Sequence, residues 1–156
     1  MPLLRAALSW NFVLATAICA SLLAQLIKVL LNLFIFHRFI AERMWGAGGM
    51  PSSHSATVCA MVVATGRYCG VNSPIFAIAA VLSIIVMYDA MGVRYETGEQ
   101  AKVLNKMLEQ WIEVTEKNNP FLQNMHLKEM VGHTPLQVMA GFALGVLVGF
   151  LYPMGL

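Results

Sequence analysis

The sequence predicts an all-helical integral membrane bundle with about four transmembrane helices, on three observations. Of its 156 residues, 58% are hydrophobic and only 12% are charged, against roughly 25% charged in a soluble domain. Four apolar stretches, 10–36, 55–71, 75–93 and 135–152, match the roughly 20 residues that cross a bilayer. Between the last two lies a long polar segment, 94–134, that carries apolar residues at helical spacing. The length fits one membrane-embedded domain, 1–156, with 94–134 as an amphipathic insertion. Ten Lys and Arg against eight Asp and Glu are too slight an excess to suggest nucleic acid. Three cysteines, at 19, 59 and 69, sit in apolar stretches without metal-ligand spacing and read as small packing residues.

The first stretch has Arg5 before it and Ile18-Cys19-Ala20 within it, the outline of a signal peptide. Its apolar run continues to Phe36, past any short signal core, so an uncleaved span is expected. Ser21, Gln25, Lys28 and Asn32 share one face of it within about 40° at 3.6 residues per turn. A polar stripe in a span faces protein or water; Lys28 either snorkels to the interface or supplies a fixed positive charge.

The second stretch is introduced by Gly48-Gly49-Met50-Pro51-Ser52-Ser53-His54-Ser55-Ala56. A helix starting there aims free N–H groups and a positive dipole end at any anion in the loop. Capping accounts for one of the serines and leaves His54 beside them. Asn72-Ser73-Pro74 makes the second and third stretches an antiparallel pair.

The third stretch ends in Tyr88-Asp89-Ala90-Met91-Gly92-Val93-Arg94. At that depth Asp89 requires a partner, with His133, Lys28 and Arg94 available, in a structural or an orienting role. Within the insertion, 97–117 places Ala101, Leu104, Leu108, Trp111 and Ile112 on one helix face. Such a helix lies on the membrane surface or caps the bundle. The last stretch opens with Gly132-His133-Thr134-Pro135-Leu136-Gln137, a second histidine before an apolar helix; Thr134, Pro135 and Gln137 form a capping box. Gly141, Gly145 and Gly149 give that helix a small-residue face for close packing.

Four spans place 37–54 and 94–134 on one side. Arg38, Arg43, Arg94, Lys102, Lys106, Lys117 and Lys128 lie there, against Arg5 and Arg67 opposite. The positive-inside rule makes the His54 side cytoplasmic, in a plasma or inner membrane. Two imidazoles with Lys28, Arg38 and Arg94 supply a nucleophile, an acid and cations for phosphoryl transfer without a metal or other cofactor.

The Pro51-Ser52-Ser53-His54 core resembles the Pro-Ser-Gly-His signature of the type 2 phosphatidic acid phosphatase and vanadium haloperoxidase superfamily. The wider Gly48–Ala56 string looks like its divergent membrane branch. The resemblance implies that His133 is the nucleophile, His54 the general acid, Arg94 the arginine of the third motif and Lys28 the lysine of the first, with Ser52 and Ser53 at the phosphate. The chain departs from the pattern at four places. Ser53 stands for Gly. Ile35 stands where Arg-Pro is usual, with Arg38 as the substitute. Residues 95 through 132 separate Arg94 from His133 where five are common, and Gln137 replaces the orienting Asp. Asp89 is the candidate to supply the missing charge. The expected function is metal-independent hydrolysis of a lipid phosphate such as phosphatidic acid, phosphatidylglycerol phosphate or a polyprenyl phosphate or diphosphate. The alternative is non-enzymatic binding or transport of a phosphorylated lipid or anion. Four spans also leave helix surface for a homodimer.

Overall fold

The computed structural model describes residues 11–36, 49–114, 127 and 132–154, with five helices and no strand among them. The helices are α1 (Phe12–Phe36), α2 (Ser53–Cys69), α3 (Pro74–Met91), α4 (Val93–Val114) and α5 (Pro135–Leu151). The chain is a helical membrane bundle, as its composition predicts. Local chemistry sets the starts. Asn11 Oδ1 accepts from the Val13 and Leu14 amides at 3.1 and 3.2 Å. Ser73 caps α3 ahead of Pro74, and Thr134 with Gln137 forms the full capping box ahead of Pro135. Gly70, at φ 83°, closes α2 with its N–H on the Gly66 carbonyl.

α2 is the hub, packed against α1, α3 and α5. Its buried face is Ser53, Ser55, Ala56, Cys59, Ala60, Ala64 and Thr65. Thr57 and Thr65 donate their hydroxyls to carbonyls one turn back, both at 2.7 Å, which satisfies them inside the bundle. Against this face α5 lays Gly141, Gly145 and Gly149. A Cβ on Gly141 would run into the Ser52 carbonyl, on Gly145 into the Ala56 carbonyl, and on Gly149 into the Val63 side chain. α1 completes the seam with Ala20 and Ala24, both fully buried.

The interior is therefore small and the exterior large. Leu22, Ile78, Leu136 and Phe150 are all more than 60% exposed, while the largest fully buried side chain among the described residues is Val138. Water would penalise that distribution; a bilayer does not, because lipid is as apolar as leucine and only close packing favours association. Among the described residues, two helical stretches, Phe12–Phe34 and Pro74–Trp111, are long and apolar enough to cross a membrane. α2 and α5, at 17 residues each, run about 25 Å, short of a roughly 30 Å hydrocarbon core. α2 tolerates its hydroxyls because its neighbours shield it from lipid. At the end away from His54, Arg67 donates to the Gly149 and Tyr152 carbonyls at 2.6 and 2.9 Å. This supplies a cation and donors to the C-terminus of α5.

The amphipathic helix starts earlier than the sequence reading and has an inner side that reading did not name. α3 is interrupted at Gly92 alone, and helical bonding resumes at once, so α4 begins at Val93. Ala101 and Asn105 are its buried side, while Leu104 and Trp111 are exposed. The cause is long-range: Asn105 uses both ends of its amide on the backbone of Leu127, at 2.9 Å each. No local periodicity encodes that contact.

The glycine seam yields a test. Gly145→Leu forces a side chain into α2 backbone and is expected to destabilise the protein by at least about 2 kcal/mol. Leu147→Ala, on the exposed side of the same helix, is expected to cost under about 0.5 kcal/mol. Unfolding in detergent followed by circular dichroism compares the two.

Candidate functional site

The loop before α2 is docked from three directions. Ser52 is fully buried; its N–H donates to the Gln137 carbonyl at 3.0 Å. Its Oγ accepts from the Ser55 amide at 3.4 Å and from the Ser55 hydroxyl at 3.1 Å. Ser52 is thus the helix cap, and its hydroxyl is committed to that role. Gln25 of α1 donates its Nε2 to Ser53 Oγ at 3.5 Å. Gly49, at φ +84°, passes over Lys28 so closely that a Cβ there would lie 3.3 Å from its Cγ and Cδ. Only a glycine takes that conformation freely at such an approach. Lys28 is 2% exposed and has no carboxylate partner among the described residues. The Ser53 and His54 amides, first in α2, have no acceptor among the described residues.

His133 arrives from the far side of the insertion. Its N–H donates to the Ala90 carbonyl at 3.2 Å, at the end of α3. A Cβ on the preceding Gly132 would strike the backbone of Arg94 and Tyr95. The long interval between Arg94 and His133 is therefore closed in space, and a glycine makes that contact possible.

The imidazole of His133 is 3% exposed. Its Nδ1 lies 3.1 Å from Gln137 Oε1, which also accepts from the Thr134 amide at 3.2 Å. A backbone N–H can only donate, so the Gln137 atom facing it is the oxygen, and Nδ1 must be the second donor. The proton of the neutral ring is thereby fixed on Nδ1 and the lone pair on Nε2. Nε2 is buried and has no hydrogen-bond partner among the described residues. Burial pushes the imidazole below the ordinary histidine range; the Gln137 bond opposes this, and the charges of Lys28, His54 and Arg94 add to it.

His54, His133, Asp89 and Arg94 line one cavity of about 320 Å³ with Ile85, Val86 and Ala90 of α3. The two imidazole centroids are 6.4 Å apart, with 58° between the rings. That separation is too wide for a direct hydrogen bond between rings that face each other. Arg94 Nε donates to Asp89 Oδ2 at 2.7 Å. Of the three partners open to Asp89, the structure has Arg94, and Gln137 holds His133. Lys28 is not among the cavity walls but lies near enough for its charge to act on His133. Ser52 and Ser53 are buried beside His54 and are not walls either. Arg38 lies outside the described residues. The apolar walls Ile85 and Val86 and the two backbone anchors of His133 carry no sequence signal beyond Gly132 itself.

No solved structure matches the chain at a significant level. Over 144 residues the chain is 35% identical to the uncharacterized membrane protein YuiD of Bacillus subtilis (strain 168), covering 88% of this chain and 91% of that protein. The family model described as "Divergent PAP2 family" matches residues 9–148. That span includes Lys28, the His54 loop, Arg94, His133 and Gln137, and by it the chain belongs to the divergent PAP2 family.

Proposed function

We propose that this membrane protein is a phosphatase for lipid-borne phosphate monoesters or diphosphates, with His133 as nucleophile and His54 as general acid. The observation that carries the reading is the pair of imidazoles on one cavity, one of them with a buried Nε2 lone pair that meets no partner among the described residues. In the first step Nε2 forms a bond to phosphorus while the P–O bond to the lipid breaks, and the leaving oxygen takes a proton from His54. In the second, water attacks the phosphohistidine, His54 takes the water's proton, and orthophosphate leaves. Arg94, Lys28 and the amides opening α2 offset the charge on the equatorial oxygens. The inventory requires no metal ion. Ile85 and Val86 put apolar walls beside the reacting groups, on a helix whose outer face meets lipid, which supports a substrate whose tail stays in the bilayer. Phosphatidic acid, phosphatidylglycerol phosphate and polyprenyl phosphates share that form. The distribution of basic residues favours a cytoplasm-facing site in a plasma or inner membrane.

One observation favours a second reading, binding or transport without turnover. An amide at Gln137 stabilises an imidazolium less than a carboxylate does, so the site is poorer in driving force than the superfamily pattern. The two readings separate by assay of the purified protein in detergent with EDTA. Under the phosphatase reading His133→Ala loses at least about a thousandfold in turnover and keeps affinity for phosphatidic acid within about threefold. His54→Ala loses about 10²–10⁴-fold on alkyl esters and less on esters with good leaving groups. Wild-type protein that binds phosphatidic acid yet hydrolyses no monoester or diphosphate makes it a binder.

The pH profile offers an independent check. His133 must be neutral to attack, and its depressed ionisation keeps it so to below the ordinary histidine range. The acid limb of kcat/KM is therefore expected below about pH 6.5. Gln137→Glu keeps the capping box but sets a negative charge against Nδ1, which favours the imidazolium. It is expected to move that limb upward by about one pH unit. An unmoved limb contradicts the assignment of the limb to His133.

A further inference from the structure

Asp89 is a carboxylate on the wall of a cavity otherwise furnished to hold an anion. Nothing in the hydrolytic scheme uses it, because Gln137 already orients His133. It pairs with Arg94 through Nε alone, and neither Nη of that guanidinium has a partner among the described residues. The side chains are 41% and 52% exposed, and an exposed pair of this kind contributes little stability. A brace across the break at Gly92 would be a weak reason for placing a negative charge beside a phosphoryl site. A counter-ion has a sharper consequence: it occupies Nε alone and leaves both Nη donors of a cavity-lining guanidinium for incoming oxygens, while lowering the net attraction they feel.

We propose that Asp89 is a specificity-determining residue that weakens the site for phosphoryl anions, so that free orthophosphate leaves and only a phosphate also held by its lipid tail stays. The inference rests on the phosphatase reading in taking phosphoryl groups as the ligand. It makes Asp89 an element of selectivity and product release, with no part in bond breaking. Opposite effects follow for the two partners. Removing the carboxylate strengthens anion binding, and removing the guanidinium weakens it. A purely structural brace would weaken binding in both cases.

The test is direct binding of orthophosphate, and of orthovanadate as a second oxyanion, to the full chain in detergent micelles, by calorimetry or by ⁵¹V line broadening. Asp89→Asn is expected to bind both at least about fivefold more tightly than wild type, the scale of one unit charge acting on a dianion across the cavity. Arg94→Gln is expected to bind them more weakly, and Asp89→Asn added to it to gain less than it does alone. Asp89→Ser guards against a folding defect peculiar to asparagine, with thermal unfolding as the control. Equal or weaker binding by folded Asp89→Asn and Asp89→Ser, with wild-type binding intact, overturns the proposal and leaves the phosphatase reading standing. Failure of wild type and every variant to bind either oxyanion overturns the anion site itself, and both inferences with it.

Discussion

The contact on which the rest of the structure depends is the glycine seam between α5 and α2. Gly141 sits against the carbonyl of Ser52, the residue that caps α2, and Ser52 in turn donates to the carbonyl of Gln137. His133 lies four positions before Gln137 and His54 two after Ser52, so this one approach sets the distance between the imidazoles. A side chain at 141 or 145 would part the helices and the rings together. In lipid, where apolar side chains gain nothing by leaving solvent, such close backbone packing is what the fold has to work with. The structural glycines and the spacing of the two imidazoles are consequently one constraint.

Gln137 shows the same economy at the level of a single side chain. Its Oε1 closes the capping box of α5 and fixes the Nδ1–H tautomer of His133. The superfamily pattern has a carboxylate at this position, which could do both jobs and add charge. The amide keeps the orientation and gives up the charge, and no other carboxylate among the described residues makes it good, since Asp89 is engaged by Arg94.

Much of the fold was legible because its signals are local. Pro74 and Pro135 mark helix starts to within a residue, and Ser52, Ser73 and Thr134 cap where capping chemistry predicts. The small-residue spacing at 141, 145 and 149 gave the packing face of α5. The inward contact of α4 was not legible, because Asn105 is held by the backbone of Leu127, which periodicity within 97–117 does not register. The site divides similarly. The histidines and Lys28 stood out because polar residues beside apolar spans are costly. The partner of Asp89 did not, since three were within reach in sequence, and neither did the return of His133 to Arg94, which depends on Gly132 meeting the start of α4. Arg38 lies beyond the described residues.

The proposed chemistry turns on attack at phosphorus by Nε2 of His133. The most direct measurement is mass spectrometry of the protein quenched under alkaline denaturing conditions during turnover of phosphatidic acid, with ³¹P NMR to identify the phosphorylated ring nitrogen. One phosphate per trapped chain is expected, on His133, at Nε2, and it is expected to accumulate when His54 is replaced by a residue that cannot activate water and the substrate is an ester whose leaving group needs no proton. Turnover without any phosphohistidine, or a phosphate carried on Nδ1 or on another residue, would contradict it.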